Sequence, residues 1–494
     1  MKKVYLETMG CQMNVSDSER VATKLVSEGY EITDDPSAAD VVLLNTCSVR
    51  EKAEQKLFTQ VGRIRQKYGR EPVVGVMGCV AQLEGDTLFE RAPTIDFVLG
   101  TKAVGRVSHA IESVLAKTGG NASVSEPAEF HEVGCTLPDG HHPARDAFAV
   151  PGRVSARRVD LPIAPAAARA FGRYIDLGER DLDYDWSVAE GQRHSKYVAF
   201  VPIIEGCNKF CTYCIVPFSR GRERSLPAAE IIRQVLTLMR QGVREVHLIG
   251  QNVNSYRPTT DAGLERFKGS TPFSRLLRAV AATGIERVKF TTSFPRDFKD
   301  DIVEAIEENE NLCNWVHLPV QSGSDRVLNA MRRLHTIDSY KKKIDRIRSS
   351  HRDIALTTDI IVGFPSETEE DFGQTVDLVE YCGYDSAYIF KYSPRPGTPA
   401  YEMKDDVSDE EKTSRFLELE SVQRRVQNRR LQRYVGKTIR VLAERESTKS
   451  PNDISGHSTC HKVVNFRGGR DMIGSIKDVR VTEVKSNSLY GEVC

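Results

Sequence analysis

The sequence predicts a multidomain α/β protein that ends in a small all-β domain. Apolar strand-like runs alternate with helical stretches over residues 1–117, and the alternation returns over residues 193–433. Short β-rich runs, punctuated by Gly and Asn, fill residues 434–494. A chain of 494 residues with 40% hydrophobic residues is too long for one core, so three domains are expected.

Residues 1–117 predict a parallel α/β sheet with cysteines after three of its strands. Cys11 follows the run VYLE, Cys47 ends VVLLNTC, and Cys79 ends VVGVMGC. Because ligands bind beyond the carboxyl ends of parallel strands, these three thiols should converge at one edge. A buried cysteine is often simply a small hydrophobic residue, but that explains one such placement better than three. We therefore predict a 4Fe-4S cluster there with one open iron. Ser16 or Asp17 is the expected cap of the first helix.

Residues 118–192 predict an irregular insertion or long linker. They are rich in Gly and Pro and show little periodicity. His131, Cys135, His141 and His142 are irregularly spaced, which is typical of solvated loop residues rather than of a metal site. We assign this segment no chemistry.

Residues 193–433 predict a partial, laterally open (β/α)6 barrel. Helical stretches separate the strands, and the residue after each strand would then face one rim of the barrel. The six strand candidates are YVAFVPII, EVHLIG, RVKFTTS, WVHLPV, LTTDIIVGF and SAYIFKY.

Three cysteines in a Cys-x3-Cys-x2-Cys run follow the first of these strands. Cys207, Cys211 and Cys214 can hold three corners of a 4Fe-4S cluster, leaving one iron without a protein ligand. Such an iron can chelate an amine and a carboxylate, and S-adenosylmethionine (SAM) carries both. The alternatives fit less well, because structural zinc takes four ligands, a disulfide needs an oxidising compartment, and haem attachment requires a His where Ile215 stands.

Polar or small residues follow four further strands of the predicted barrel. Gln251, Ser293 and Gln321 can hydrogen-bond to the polar groups of SAM, and Gly363 permits a close backbone approach. Each of these is a weak signal alone, since a polar residue after a strand is usually only a cap. Together they predict the SAM site.

An arginine-rich helix end precedes the terminal β domain. No acidic residue lies within RRVQNRRLQR, so a phosphate-contacting patch is at least as well supported as a solvated helix face. The following β runs predict a small barrel, a shape that often binds nucleic acid. The arginines are Arg424, Arg425, Arg429, Arg430 and Arg433.

Composition adds few constraints on partners. Lys+Arg and Asp+Glu both number 69, so net charge predicts no partner. The sequence has no apolar run of about 18 residues, so we expect no membrane span. A reducing cytoplasm suits oxygen-sensitive clusters and is the expected location.

Long motifs resemble the methylthiotransferases, a family of radical-SAM enzymes. The resemblance covers about residues 1–117 and 193–494, whereas Ser366 stands where the family form FPGETEEDF has Gly, and residues 118–192 are longer than expected. The terminal domain resembles a TRAM domain. The matching segments are GCQMN, NTCSVREKAEQK, MGCVAQ, CNKFCTYCIVPFSRGRERS, GQNVNSY, HLPVQSGSDRVLNAMRR, TTDIIVGFPSETEEDF and FKYSPRPGTPAY.

The resemblance implies an activity, cofactors and partners. The cluster on Cys207, Cys211 and Cys214 would cleave SAM to methionine and a 5′-deoxyadenosyl radical. The cluster on the other triad would supply or carry sulfur, and a second SAM would donate the methyl group. The implied substrate is a dimethylallyl-adenosine beside the anticodon, so the tRNA anticodon arm is the expected partner. An electron donor such as flavodoxin or ferredoxin and a monomeric state are also expected.

Three alternative functions stay open at this point. Related methylthiotransferases modify a ribosomal-protein aspartate or threonylcarbamoyl-adenosine in tRNA. A non-catalytic RNA-binding protein with structural metal belongs to another class. The segments GQNVNSY and RGRERS favour the dimethylallyl-adenosine enzyme by resemblance.

Overall fold

The computed structural model describes residues 1–48, 51–69, 71–116, 173–178, 187–448 and 450–494. The chain forms two compact units, which are described separately below. The N-terminal unit contains Met1–His194, Cys214–Arg222 and Arg395–Tyr401, and the second unit contains Ser195–Tyr213, Glu223–Pro394 and Glu402–Cys494.

A parallel six-stranded sheet forms the N-terminal unit, with strand order β2-β1-β3-β4-β5-β6. Both faces of its central strand β3 are buried, with Val41 and Leu43 in one apolar cluster and Val42 and Leu44 in the other. Burial on both faces explains why this strand is a continuous apolar run. The strands are β1 Lys3–Met9, β2 Glu31–Thr33, β3 Val41–Thr46, β4 Val73–Gly78, β5 Phe97–Leu99 and β6 Tyr174–Asp176. The helices are α1 Gln12–Ser27, α2 Glu51–Tyr68, α3 Cys79–Glu84, α4 Thr87–Arg91, α5 Val107–Ala116 and α6 Val216–Arg220.

Two features of this unit differ from the sequence prediction. Strand β6 pairs with β5 although it lies within 118–192, where no regular element was predicted. The remainder of that segment up to residue 186, with His131, Cys135, His141 and His142, lies outside the described residues. The first helix begins about one and a half turns earlier than predicted, because Cys11 is its N-cap and Ser16 and Asp17 are buried inside it.

The second unit begins with six parallel strands, as the sequence predicted. They form two three-stranded sheets, β11-β10-β7 and β12-β13-β14. Hydrogen bonds between Val288 and residues 311–313 join β11 to the segment that leads into β12. The six strands are β7 Val198–Pro202, β10 Glu245–Ile249, β11 Arg287–Phe290, β12 Trp315–His317, β13 Ala355–Val362 and β14 Ser386–Lys391. The hairpin β8 Ile204–Glu205 and β9 Arg224–Ser225 flanks the cysteine loop.

Helices follow these strands along the chain. Asp371 of α12 accepts hydrogen bonds from Thr368 at the helix start, which is a capping box. The helices are α7 Ala228–Arg240, α8 Pro272–Ala281, α9 Asp300–Glu308, α10 Asp325–Ala330, α11 Ile337–Arg348, α12 Glu369–Cys382 and α13 Asp409–Gln432.

The terminal domain is a closed five-stranded barrel of order β15-β16-β17-β19-β18. It packs against the amino-terminal ends of the six parallel strands. Arg287, the first residue of β11, donates to the carbonyl oxygens of His457 and Ser458 at 2.6 Å each. The barrel strands are β15 Thr438–Glu446, β16 Asp453–Ser458, β17 Val463–Arg467, β18 Ile476–Val484 and β19 Leu489–Val493.

Among the described residues, every helix is too short or too polar to span a bilayer.

Candidate functional site

The strand register brings Cys11, Cys47 and Cys79 to one edge of the N-terminal sheet. The last residues of β1, β3 and β4 are direct neighbours, since Met9 pairs with Thr46 and Thr46 pairs with Gly78. Cys47 and Cys79 each follow their strand by one residue, and Cys11 follows by two. The backbone amide of Cys47 also donates to the Met9 carbonyl at 3.1 Å.

Two buried asparagines tie this edge together. Asn14 Oδ1 accepts from the backbone amide of Cys11 at 3.3 Å and from its thiol at 3.2 Å. Asn14 Nδ2 donates to Asn45 Oδ1 at 2.9 Å and to the Thr46 carbonyl at 3.1 Å. A Cβ atom on Gly78, at φ +97°, would lie 2.4 Å from Asn45 Oδ1, so glycine is required before Cys79.

The thiols at this edge differ in their electrostatic environment. A hydrogen bond with Cys47 is the largest influence on Cys11 and, with the nearby charge of Arg220, lowers its pKa to about 6 against the effect of burial. Burial raises the pKa of Cys79, although Arg220 opposes that shift. Arg220 Nε donates to Cys79 Sγ at 3.3 Å, and its Nη2 lies 2.7 Å from Asp17 Oδ2. Thiols outside any disulfide, beside a buried cation, suit an anionic iron–sulfur group.

The Cys207 loop follows the short strand β8. Burial raises the pKa of Cys207 to about 11, so iron binding there would release a proton. Arg333, itself buried, donates to Cys211 Sγ at 3.7 Å and to the Pro319 carbonyl at 2.6 Å. Within the described part of the chain, Cys207, Cys211 and Cys214 form no disulfide. The charge of Cys211 contributes to the raised pKa of Cys207, so these two thiols lie near each other, as a shared cluster requires.

The predicted SAM residues lie at the carboxyl ends of their strands. Gln251 Oε1 and Ser293 Oγ are buried without a hydrogen-bond partner among the described residues, as expected of groups that face a polar ligand. Thr292 and Gln321 have positive φ angles of 69° and 78°. Such backbone strain in non-glycine residues is concentrated at ligand sites.

Gly363 also lies close to a neighbouring helix. A Cβ atom on Gly363, at φ +70°, would lie 2.2 Å from Cγ of Lys412 in α13. Its amide donates to Glu367 Oε2 at 2.6 Å. The absence of a side chain therefore allows Lys412 to approach closely. In the same turn, Ser366 has φ +66°, which explains why glycine is the family residue at that position.

Replacing Ser293 or Gln251 by alanine should weaken SAM binding about five- to tenfold each, because one hydrogen bond contributes roughly 1 kcal/mol. Titration calorimetry of the anaerobically reconstituted protein measures this. Ser475→Ala is the matched control, since that hydroxyl donates to the Met472 carbonyl in the terminal barrel. Wild-type affinity in both Ser293→Ala and Gln251→Ala would contradict the assignment.

The five arginines predicted to bind RNA separate into two groups. Arg430 and Arg433 are 24% and 18% exposed and pair with Asp353 and Asp385. Lys462 of the terminal barrel also pairs with Asp385, at 3.3 Å. The two arginines hold the helix, and Lys462 holds the barrel, to the strand ends.

The other three arginines of the run are exposed. Arg424, Arg425 and Arg429 have side chains 71%, 65% and 70% exposed. Arg424 pairs with Glu420, and the other two pair with Glu380. Exposed pairs of this kind are weak, so these three arginines remain available to a phosphate backbone.

Glu245, His247 and His461 bring three potential metal ligands within 4.8 Å of one another. However, Arg287 Nε already lies 2.8 Å from Glu245 Oε2, and His247 hydrogen-bonds to the other oxygen. Although burial alone would raise the pKa of Glu245, Arg287 and His247 lower it to about 2. A cation would add charge beside Arg287, so we interpret this group as a buried ion-pair network.

Sequence reasoning missed four residues of these sites. Asn14 and Asn45 lie three residues after Cys11 and two before Cys47, and Arg220 lies six residues after Cys214. Arg333 ends the segment NAMRR. Their closeness to the cysteine motifs was the available signal, but polar residues near a motif are too common for proximity alone to select them.

Three families match successive parts of the chain. Residues 3–100 match the family described as Uncharacterized protein family UPF0004. Residues 201–379 match the Radical SAM superfamily, and residues 432–494 match the TRAM domain.

Curated relatives match along the whole chain. The tRNA-2-methylthio-N(6)-dimethylallyladenosine synthase of Aeromonas hydrophila is 40% identical, covering 99% of this chain and 91% of that protein. The protein of the same name from Serratia proteamaculans is 41% identical, covering 100% and 92%.

A solved structure shows a related fold. The radical S-adenosylmethionine methyltransferase TsrM of Kitasatospora setae superposes with a TM-score of 0.51 at 15% identity, covering 81% of this chain and 74% of that one. At this identity the match supports the fold alone.

Proposed function

This chain belongs to the family of tRNA-2-methylthio-N6-dimethylallyladenosine synthases, and from that premise we propose that it adds a methylthio group to C2 of N6-dimethylallyladenosine beside the anticodon. The observation that carries the proposal is identity of about 40% along the full chain, through all three domains. The position of Cys11, Cys47 and Cys79 after neighbouring strands supports it independently.

Membership of the Radical SAM superfamily implies SAM and a 4Fe-4S cluster. We assign that cluster to Cys207, Cys211 and Cys214, and a second 4Fe-4S cluster, here called the auxiliary cluster, to Cys11, Cys47 and Cys79. When bound, these groups supply the radical chemistry, the sulfur and the methyl group.

The protein's own residues bind and orient these groups. Gln251 and Ser293 offer buried hydrogen-bonding atoms at the rim, and Gln321 lies at the end of the neighbouring sheet. Lys209, within the cysteine loop, pairs with Asp297 at 2.6 Å and so anchors the loop beside β11. Gly363 remains a proposed SAM contact through its backbone, since Lys412 occupies the side where a Cβ atom would lie.

The proposed partners follow from the substrate. Arg424, Arg425 and Arg429 and the exposed face of the terminal barrel would contact the phosphates of the anticodon arm. An electron donor such as flavodoxin or ferredoxin, a monomeric state and a cytoplasmic location are parts of the same proposal.

The reconstituted enzyme should modify prenylated tRNA and leave unprenylated tRNA and the ribosomal-protein loop peptide unmodified. Burial of the prenyl group contributes about 2 kcal/mol or more, enough for discrimination of tens-fold against bare adenosine. Mass spectrometry of the digested nucleosides and of the peptide measures this.

The same assay separates the alternative functions. Efficient modification of the peptide, or of threonylcarbamoyl-adenosine, would move the substrate to a related methylthiotransferase activity. A colourless, zinc-containing protein without product would favour the non-catalytic RNA-binding alternative. Product on prenylated and unprenylated tRNA alike would contradict the proposed specificity.

A further inference from the structure

A buried ion-pair network touches one cysteine of the auxiliary cluster site. Asp17, Arg20 and Arg220 are 1%, 3% and 3% exposed. Both guanidinium groups pair with the Asp17 carboxylate, Arg220 through its Nη2 at 2.7 Å. The Nε of Arg220 donates to Cys79 Sγ at 3.3 Å.

Local structure brings these groups together. Asp17 lies on α1, one helical turn and a half after the N-cap Cys11. Arg220 is the last residue of α6, and Cys79 is the first residue of α3. Helix α6, which follows the Cys207–Cys214 motif in the chain, therefore places the guanidinium group of Arg220 beside Cys79 of the other triad.

The positive charge of Arg220 favours the more negative, reduced state of a cluster bound to Cys79. Arg220 places a positive charge within hydrogen-bonding distance of Cys79 Sγ, and the adjacent Asp17 carboxylate offsets part of that charge. Screening is weak in a buried environment, and the potential of an iron–sulfur cluster depends on nearby charge and on hydrogen bonds to its sulfurs. Both effects stabilise the reduced cluster more than the oxidised one.

We propose that Arg220 is a positioning residue that orients the Cys79 thiolate and raises the reduction potential of the auxiliary cluster. The proposal rests on the proposed function, which places that cluster on Cys11, Cys47 and Cys79. Asp17 holds the guanidinium in place and moderates its charge. A purely structural role for the network would leave the potential unchanged.

The test uses the full-length chain with Cys207, Cys211 and Cys214 replaced by alanine, so that the auxiliary cluster is the one studied. Arg220→Met, Arg220→Lys and Asp17→Asn are introduced singly, and each protein is reconstituted anaerobically with iron and sulfide. Redox titration followed by electron paramagnetic resonance gives the midpoint potential. Iron analysis gives cluster occupancy.

Arg220→Met should lower the ratio of reduced to oxidised cluster at least tenfold at a fixed potential, which is about 59 mV for one electron. Asp17→Asn should shift the potential in the opposite direction, because it removes a negative charge. Arg220→Lys keeps the positive charge, so its midpoint potential should stay closer to that of the parent protein. If the Arg220→Met protein does not bind a cluster, the expected rise of the midpoint potential in Asp17→Asn tests the proposal instead.

Unchanged potentials in Arg220→Met and Asp17→Asn, with iron still bound, would overturn the proposal and leave the proposed function standing. Shifts of the same sign in both variants would also overturn it, as general disturbance of the site. A parent protein that binds no iron would instead refute the auxiliary cluster itself, so the two failures are distinguishable.

Discussion

Replacing Cys207, Cys211 and Cys214 together by alanine should remove about half of the bound iron and abolish SAM cleavage. The open iron that chelates SAM would be lost, so no 5′-deoxyadenosine should form under reducing conditions. Iron analysis and chromatography of the SAM products measure both effects. Cys382→Ala is the matched control, because Cys382 is a buried free thiol on α12, outside both triads.

The complementary triple replacement separates the two clusters. Alanine at Cys11, Cys47 and Cys79 should remove the other half of the iron, about four atoms per chain. Formation of 5′-deoxyadenosine should persist while the methylthio product disappears. Full iron content and product formation in this variant would show that the second cluster does not exist.

Arg287→Met should destabilise the second unit by about 3 to 5 kcal/mol, because it removes the buried guanidinium that pairs with the Glu245 carboxylate. It also removes two hydrogen bonds to the terminal barrel. Calorimetry should show the melting transition lowered by several degrees, and hydrogen exchange should accelerate in β15–β19. The matched control is Arg244→Met, whose partner Glu286 forms an exposed pair and should change stability little.

The same ion pair makes stability depend on pH in a defined window. The pKa of Glu245 is about 2 in the folded chain, below its ordinary value of 4.5. The stabilisation is therefore complete above about pH 4.5 and is lost as the pH falls toward 2. Wild type and Arg287→Met should converge in stability over that range. Curves that stay parallel would contradict this origin of the effect.

The fold was predictable where a single strong signal was present. All six strands of the open barrel are continuous or alternating apolar runs, and each was found in the predicted order. Strands β2 and β6 were missed because each has three residues with polar ones among them, EIT and YID, whereas the equally short β5 is wholly apolar. The start of α1 was misplaced because serine and aspartate are usual caps, whereas a cysteine occupies that position.

The predictable part of the site consists of the residues that lie in recognisable sequence motifs. The convergence of Cys11, Cys47 and Cys79 follows from strand ends alone. Arg220 was not predictable, because its contact with Cys79 joins residues 141 positions apart. The ion pairs of the arginine run were not predictable for a related reason. The acidic partners Glu380, Asp353 and Asp385 come from other elements, so the run itself gave no sign of them.

The contacts of the terminal barrel determine how its contribution to RNA binding should be dissected. Deleting the barrel would take away the ion-pair partner of Asp385, which is Lys462. It would also take away the carbonyl groups that accept hydrogen bonds from Arg287. Buried charges would then face water along a newly exposed surface, and loss of activity in such a truncation would report misfolding. Charge reversals at exposed barrel positions leave the contacts of Lys462 and Arg287 intact. They are therefore the appropriate way to measure how much the barrel contributes to tRNA affinity.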